Sequence, residues 1–290
     1  MKLGVVFPQT EIGSDPGAIR EFAQVAEELG YSQILAYDHV LGADTTNRPD
    51  WKGGYTIHSA FHEPLVLFGY LAGITKEITL ATGVIILPQR QTALVAKQAA
   101  EVDVLSNGRL RMGIGLGWNQ VEYQALGQDF HTRGRRVSEQ VEVLRALWTQ
   151  ESVTFEGEWH TIIGAGINPM PVQRPIPIWM GGNADAVLRR IATISDGWRA
   201  PDRPDADGRK HVEEMYTLAG EAGRDSSAIG IEGRTEIKNA TEDDWATAVA
   251  AWHDLGATHL DVSTMGAGFE TPEEHIEAIR KFKSVADALK

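Results

Sequence analysis

The stretch PIWMGGNADAVLRRIATISDGWRA, residues 177–200, contains one complete strand–turn–helix–strand unit. PIWMGG is a short apolar run that ends in two glycines, which favours a buried strand followed by a turn. Residues 184–194 then repeat apolar side chains at helical spacing, and DGWRA begins a further short strand. Two strands that flank one helix in this way are typical of a parallel sheet.

The same order of strand, turn and helix recurs along all 290 residues and gives eight units. Eight such units predict a single TIM (β/α)8 barrel domain of the α/β class over residues 1–290. A doubly wound sheet usually has fewer strands and a GxGxxG loop after the first one, where this chain has FPQTEIGSDPG. The predicted strands are 3–7, 32–37, 77–87, 108–117, 177–182, 196–200, 228–237 and 258–263, and the predicted helices are 16–29, 63–73, 92–105, 137–148, 184–194, 210–222, 244–255 and 272–289.

Three segments are insertions in this pattern. Val40–Ser59 follows strand two, and Gly117–Gly134 follows strand four. Before strand five, VTFEGEWHTI (residues 153–162) predicts a β-hairpin. Long loops after barrel strands often form lids or pocket walls, so we expect the first two segments to border a site.

The composition excludes several classes of function. The formal net charge is −13, which argues against nucleic acid as a partner because phosphate binding needs a basic surface. No window approaches the roughly 18 apolar residues of a membrane span. The chain has no cysteine, and its nine histidines do not cluster at metal-ligand spacing. We therefore expect a cytoplasmic enzyme that acts on a small molecule, without metal, nucleic acid or membrane.

Strand two ends in Asp38-His39, at the barrel face where active sites lie. His39 is suited to moving a proton beside a reacting centre, since imidazole titrates near neutrality. Asp38 is suited to holding a cofactor or tuning that imidazole. Alternatively, His39 bonds a backbone carbonyl group and Asp38 caps a turn, and the residues alone leave both interpretations open.

Glycines mark two further strands. Gly83, before Val84 in strand three, indicates either a bulge that supports a flat ligand or a packing glycine, and the residues alone favour packing. The glycines of GIGLGWN (residues 113–119) leave the backbone bare for a ring or a phosphate, with Trp118 and Asn119 at the pocket.

Two sites for an anion are also indicated. Gly181-Gly182-Asn183 leads into a helix, and bare amides at a helix start bind anions; the alternative is a plain turn with Asn183 as N-cap. In RGRR (residues 133–136), Arg136 is expected to pair with Glu139 or Glu142, or to contact an anionic cofactor tail.

Nearly the whole chain resembles the luciferase-like monooxygenase superfamily, and within it the enzymes that use coenzyme F420, a deazaflavin. The resemblance is carried by LAYDHV (35–40), residues 78–130, RGRR and residues 174–198. It implies a bacterial luciferase-like TIM barrel with a cofactor across its mouth, and a homodimer formed through helices on the side of the barrel.

The resemblance also assigns residues. Asp38 would touch the deazaflavin ring, and His39 would be the base or acid near the hydride-transfer carbon. The other implied cofactor contacts are Gly83 and Val84, at a non-prolyl cis peptide that backs the ring, Gly115 and Leu116 along the cofactor, and Gly181, Gly182 and Asn183 at its phosphate.

The chain departs from the sugar-phosphate dehydrogenases of this family at two positions. Those enzymes carry an acid where this chain has Trp118, and a Trp where it has Ala43. Oxidation of glucose 6-phosphate is therefore not expected. Phe7, Trp51 and Trp118 suggest a substrate pocket for a flat or apolar organic molecule, although each is equally compatible with core or lid packing.

Three functions follow as hypotheses. The first is hydride transfer between F420 and a small organic substrate. The alternative is an FMN-dependent monooxygenase that uses reduced flavin and O2, because reduced flavin reacts with oxygen whereas a deazaflavin prefers hydride transfer. The third is a barrel that binds the cofactor without turnover.

Overall fold

The computed structural model describes residues 1–201 and 203–289, and these form an α/β barrel. The strands are β1 (Lys2–Val6), β2 (Gln33–Ala36), β3 (Thr79–Thr82), β4 (Ile85–Ile86), β5 (Leu110–Gly115), β6 (Val153–Glu156), β7 (Thr161–Ala165), β8 (Ile178–Gly181), β9 (Gly197–Arg199), β10 (Gly230–Glu236) and β11 (His259–Ser263). The helices are α1 (Pro16–Glu28), α2 (Pro64–Ala72), α3 (Thr92–Leu105), α4 (Gln120–Ala125), α5 (Arg133–Thr149), α6 (Asp185–Ile194), α7 (Ala206–Glu221), α8 (Glu242–Asp254) and α9 (Pro272–Asp287).

The barrel closes as the sequence predicts. Parallel neighbours run in the order β3-β2-β1-β11-β10-β9-β8-β5-β4, and β3 also pairs with β5. Since β3 and β4 are two pieces of one predicted strand, the ring has eight strands surrounded by helices, and the TIM barrel is confirmed. The hairpin before strand five is also confirmed, as the antiparallel pair β6–β7.

The third barrel strand is broken, whereas the sequence predicted one run over 77–87. Between β3 and β4 the chain forms a bulge at Gly83–Val84, and the peptide bond there is cis. Glycines in β5 leave space for it. A Cβ on Gly113 would lie 1.9 Å from the Thr82 carbonyl oxygen, and one on Gly115 would lie 2.5 Å from Val84 Cγ2.

Apolar periodicity locates some helix starts and misses others. Asp15 caps α1 directly before the predicted first residue, since its carboxylate accepts hydrogen bonds from the amides of Gly17 and Ala18. Two predicted starts were late, because α5 begins at Arg133 and α7 begins after the cap Asp205. The first turns of both helices are polar and carry no apolar pattern.

The predicted pairing of Arg136 with Glu139 or Glu142 is wrong. Its guanidinium instead donates to Gln128 Oε1 at 2.6 Å and to the Pro88 carbonyl oxygen at 2.7 Å. The side chain therefore ties the start of α5 to the insertion after β5 and to the turn after β4.

The lumen of the barrel contains a buried ionic cluster. Arg111 and Arg199 both hydrogen-bond Glu232, and Arg199 also lies 3.3 Å from Asp261. Burial disfavours the charge of Glu232, but the two guanidinium groups prevail and lower its pKa. Burial and the neighbouring Glu232 raise the pKa of Asp261. Among the described residues, no helix has the length and hydropathy of a membrane span.

Candidate active site

The carboxyl-terminal ends of the barrel strands surround a cleft of two chambers. The first, the His39 chamber, has a volume of 410 Å³ and lies next to the insertion after β2. The second, the Arg199 chamber, has a volume of 710 Å³ and lies next to β9, β10 and α8. Both are lined by Tyr37, Gly83, Val84, Gly181, Gly182 and Arg234. Within residues 1–201 and 203–289, no three His, Asp or Glu side chains come together as a metal site.

A buried carboxylate holds the imidazole of His39. Nδ1 of His39 lies 3.3 Å from both carboxylate oxygens of Glu122, a residue of α4. Glu122 is fixed in turn, because its Oε1 accepts hydrogen bonds from the amides of Val40 (2.6 Å) and Leu41 (3.2 Å). Burial disfavours the charge of Glu122, but the hydrogen bonds from His39 and from these amides prevail and lower its pKa.

Aromatic rings enclose the same imidazole. The ring centroids of Tyr55 and Phe61 lie 4.8 and 4.7 Å from that of His39, and the Trp118 centroid lies 5.9 Å away. Trp118 packs against Trp51 at 5.6 Å, and Trp51 Nε1 donates to the Tyr55 carbonyl oxygen. The insertion after β2 therefore folds back over His39 and restricts its rotation.

Asp38 also lines the His39 chamber, but its carboxylate has other partners than His39. Its carboxylate pairs with Arg90 Nη2 at 2.7 Å and accepts a hydrogen bond from the Ile86 amide at 2.9 Å. Arg90 also pairs with Glu63 at 2.9 Å. Asp38 thus ties β2 to β4 and α2, and the partner of the His39 imidazole is Glu122 rather than Asp38.

The bulge forms one wall of the cleft. Val84 lines both chambers, with Gly115 beneath its Cγ2 and Gly181 beside its Cγ1. Leu116 continues this wall in the His39 chamber. The residues that come together around one surface therefore include five that the family resemblance assigned to cofactor binding: Gly83, Val84, Gly115, Leu116 and Gly181.

The turn after β8 brings backbone amides to the cleft. Gly182 has a φ of +116°, a conformation that favours glycine, and its carbonyl oxygen accepts a hydrogen bond from Trp198 Nε1 at 2.8 Å. The N-cap of α6 is Ala184 rather than Asn183, and no side chain caps this end. Amides of the first turn of α6 thus lack a side-chain acceptor, which suits an anion. Asn183 is exposed in the same turn.

Of the three aromatic residues predicted for the substrate pocket, Phe7 lies elsewhere. Its ring is fully buried and packs edge-on against Phe22 of α1 at a centroid distance of 5.7 Å. Side chains alternate along β1, so Phe7 faces the helices while Val6 faces the lumen. Trp118 does line the His39 chamber, and Trp51 packs against it.

Three residues of this region were not predicted from the sequence: Glu122, Arg90 and Arg234. Arg234 lines both chambers, and its Nη1 donates to the Tyr37 hydroxyl oxygen at 3.1 Å. A signal for Glu122 was present, because Asn119 caps α4 and places Glu122 on a helix directly after strand β5. Arg90 and Arg234 carry no such local signal.

Comparisons with known proteins agree with this architecture. The sequence model of the luciferase-like monooxygenase family matches residues 1–281. An uncharacterized protein of Mycobacterium tuberculosis is 34% identical over 274 residues, covering 90% of this chain and 91% of that protein. An FMNH(2)-dependent dimethylsulfone monooxygenase of Pseudomonas fluorescens is 28% identical over 253 residues, covering 86% of this chain and 65% of that protein.

A solved structure gives the same fold. An F420-dependent secondary alcohol dehydrogenase, in complex with an F420-acetone adduct, superimposes with a TM-score of 0.81 over 100% of this chain and 99% of its own. The sequence identity is 16%. At this identity the likeness establishes the barrel and leaves the chemistry to the residues of the cleft.

Proposed function

The chain belongs to the luciferase-like monooxygenase family, and from this premise we propose that it transfers a hydride between coenzyme F420 and a small organic substrate. The observation that carries the proposal is the buried pair of His39 and Glu122 in the same chamber as the bulge at Gly83–Val84. Hydride transfer to or from a carbonyl or hydroxyl carbon moves one proton as well, and imidazole is suited to that proton near neutral pH.

The residues of the cleft fit a deazaflavin with an anionic side chain. Val84, Gly115 and Leu116 offer a small, apolar wall to a flat ring. Gly181 and Gly182 lead to the uncapped start of α6, where backbone amides suit a phosphate. Asn183, in the same turn, completes the proposed phosphate site. Asp38 lines the His39 chamber and would contact the ring there.

When bound, coenzyme F420 supplies two-electron hydride chemistry at a ring carbon. The protein supplies the proton and the surroundings. His39 gives or takes the proton that accompanies the hydride, and Glu122 balances the imidazolium charge. The rings of Tyr55, Phe61 and Trp118 exclude water from the imidazole, which strengthens charge interactions there.

The proposed substrate is a flat or apolar organic molecule. Trp118, with Trp51 behind it, forms the apolar rim of the His39 chamber. Trp245 and Trp252 line the Arg199 chamber on the far side of Val84. Aromatic walls of this kind contribute binding energy by burying apolar surface.

An FMN-dependent monooxygenase is the second candidate. The observation that favours it is the 28% identity to the FMNH(2)-dependent dimethylsulfone monooxygenase. Such an enzyme would need a separate source of reduced flavin and would consume O2, whereas the F420 enzyme would not.

Parallel titrations of the purified protein with coenzyme F420 and with flavin mononucleotide, followed by cofactor fluorescence, distinguish the two. We expect tighter binding of F420. Preference for the flavin would overturn the proposal in favour of the monooxygenase. Binding of F420 with no redox change across a panel of alcohols, ketones and enones would support a barrel that binds without turnover.

His39→Ala tests the proton-transfer role. We expect kcat to fall by about 10²–10⁴-fold, the usual contribution of a general acid or base. His58→Ala is the matched control, because His58 lies exposed in the same insertion and does not line either chamber. Wild-type turnover by His39→Ala between about pH 5 and 9 would exclude the role.

We further propose a cytoplasmic homodimer. The support is an exposed face on two neighbouring helices that carries three apolar side chains beside the Lys97–Glu101 ion pair: Val66 of α2 is 71% exposed, and Leu94 and Leu105 of α3 are 52% and 55% exposed. Leu94 and Leu105 are eleven residues apart, close to three helical turns, and so share one face of α3.

A further inference from the structure

We infer that Glu122 is a positioning residue that fixes the tautomer of His39, with the proton on Nδ1 and the Nε2 lone pair left for the cleft. The consequence for turnover rests on the proposed function. The tautomer itself is a property of the chain without any ligand, so the two can be tested separately.

The donors around Glu122 define its role. Its side chain is 1% exposed, and the groups within hydrogen-bond distance are the amides of Val40 and Leu41, the side-chain amide of Gln89 at 3.5 Å and His39 Nδ1. An ionised carboxylate only accepts hydrogen bonds. His39 Nδ1 must therefore donate, which leaves Nε2 of the neutral ring as an acceptor.

The two carboxylate oxygens have different surroundings. Oε1 receives both backbone amides, at 2.6 Å from Val40 and 3.2 Å from Leu41. Oε2 receives the Gln89 side-chain amide at 3.5 Å, and His39 Nδ1 lies 3.3 Å from both oxygens. A backbone N–H group can only donate a hydrogen bond, so the position of Oε1 requires an acceptor. A glutamine at position 122 would therefore place its carbonyl oxygen at the Oε1 position and its NH2 group at the Oε2 position.

This asymmetry makes Glu122→Gln a sharp substitution. An NH2 group at the Oε2 position would offer His39 Nδ1 a donor, while the carbonyl oxygen at the equally distant Oε1 position would still accept. The Nδ1-protonated form would lose its advantage, and the Nε2-protonated form would gain population. The rings of Tyr55 and Phe61, packed within 5 Å of the imidazole centroid, oppose a flip of the ring that would undo the change. In the Nε2-protonated form the lone pair that faces the cleft is lost while the shape of the site is kept.

The tautomer is measured in long-range ¹H–¹⁵N correlation spectra of the ¹⁵N-labelled apoprotein, above the pH at which imidazole titrates. His39→Gln identifies the signals of His39 among the nine histidines. We expect the Nδ1-protonated pattern in the wild type and a rise of the Nε2-protonated pattern in Glu122→Gln. A wild type with the proton on Nε2 would overturn the inference. The wild-type spectrum alone gives this test, so the test does not require Glu122→Gln to fold.

Glu139→Gln is the matched control. Glu139 forms the same kind of contact with another imidazole, since its Oε1 lies 2.7 Å from His160 Nδ1, and neither residue lines the two chambers. We expect this variant to leave the signals of His39 unchanged. A Glu122→Gln spectrum that keeps the Nδ1-protonated pattern of the wild type would also overturn the inference.

Kinetics then separate this inference from the proposed function. In an active enzyme, Glu122→Gln should lower kcat by about 10²-fold, the lower end for loss of a general acid or base, with little change in KM. Glu139→Gln should retain wild-type kcat. Unchanged kcat in Glu122→Gln would refute the role in turnover, whereas failure of the wild type to bind either cofactor would refute the proposed function and leave the tautomer result intact.

Discussion

Gly115 illustrates how one residue positions the candidate site. Val84 packs where the Gly115 side chain would be, so the bulge can approach β5 closely. The glycine motif of strand four superficially suggests a loop that cradles phosphate. In the structure, Gly113 and Gly115 make room for the neighbouring strand of the barrel, and the wall that results faces the cleft.

Gly115→Ala should destabilise the protein and displace Val84. Its Cβ would lie 2.5 Å from Val84 Cγ2, and overpacking of this kind costs about 1–3 kcal/mol. Thermal or denaturant unfolding measures the loss. Gly220→Ala is the control, because a Cβ there meets nothing within 4 Å and a helical Gly→Ala change is expected to stabilise by up to about 1 kcal/mol. Equal effects at the two positions would refute the packing argument.

Residues at strand ends were predictable from the sequence, whereas their partners were not. Asp38 and His39 follow a clear apolar strand, and barrel topology alone brings them to the cleft. Glu122 reaches His39 only because the insertion after β5 folds across the insertion after β2, a contact between residues 83 positions apart. The side of β1 on which Phe7 lies likewise depends on register, which a short apolar run does not reveal.

At the scale of elements, one ion-pair network ties the strand ends to the helix layer. Arg90 bridges Asp38, after β2, and Glu63, whose Oε2 also accepts a hydrogen bond from the Val66 amide at the start of α2. Asp38 in turn holds β4, the strand after the bulge, through the Ile86 amide. The network therefore fixes the bulge, β2 and α2 relative to one another.

Arg90→Met should destabilise the protein by about 3–5 kcal/mol, because it leaves the buried Asp38 carboxylate without its cation. Asp38→Asn in the same background should recover part of the loss, and a double-mutant cycle measures the coupling. Arg135→Met is the control, since its pair with Glu158 is exposed and worth at most about 1 kcal/mol. A loss in Arg90→Met no larger than in Arg135→Met would contradict this account.

Element boundaries show the limit of periodicity. α1 was predicted to its first residue, because Asp15 and Pro16 combine a cap with a favoured first position. The six-residue helix α4 was not predicted, since so short a segment shows no repeating apolar face. For strand three, the sequence left two interpretations of Gly83, a bulge or a packing glycine. The bulge forms because Val84 fits against Gly115 of β5, a contact between strands that the local sequence does not show.

For the molecule as a whole, burial of His275 makes stability depend on pH. The imidazole is fully buried, with Nδ1 2.7 Å from Thr264 Oγ1. Burial lowers the pKa of His275 to about 4, although Glu274 opposes the shift and Glu11 lies 3.5 Å from Nε2. An unfolded histidine has a pKa of about 6.5. Between these two values the unfolded state binds the proton that the folded state excludes.

The free energy of unfolding should therefore fall as the pH drops from about 6.5 to about 4, with His275 adding a slope of up to about 1.4 kcal/mol per pH unit. His275→Gln should remove this component, which denaturant unfolding at several pH values measures. His253→Gln, at an exposed position, should retain the wild-type slope. The same slope in all three proteins would show that His275 does not titrate as argued.

The proposed homodimer makes a separate prediction about assembly. Leu94→Lys should shift the protein toward the monomer in sedimentation velocity, because it replaces one of the three exposed apolar side chains on this face of α2 and α3 by a charge. Ile163→Lys, on the hairpin and 80% exposed, should leave the mass unchanged. A wild-type monomer at micromolar concentration would exclude the dimer. The sequence resemblance supplied this expectation, and the exposed face supports it.

The bulge divides the pairing between the third barrel strand and β5 into two parts. β3 contributes the pairs Leu80–Leu110 and Ala81–Arg111, β4 contributes Ile85–Ile114 and Ile86–Gly115, and Gly83–Val84 lies between them. A strand held by two short sets of rungs opens more readily than one held by a continuous set. Amide hydrogen exchange should thus begin beside the cleft, and a ligand seated on Val84 would slow it there first. Local opening of the barrel would then occur at the wall of the cleft itself.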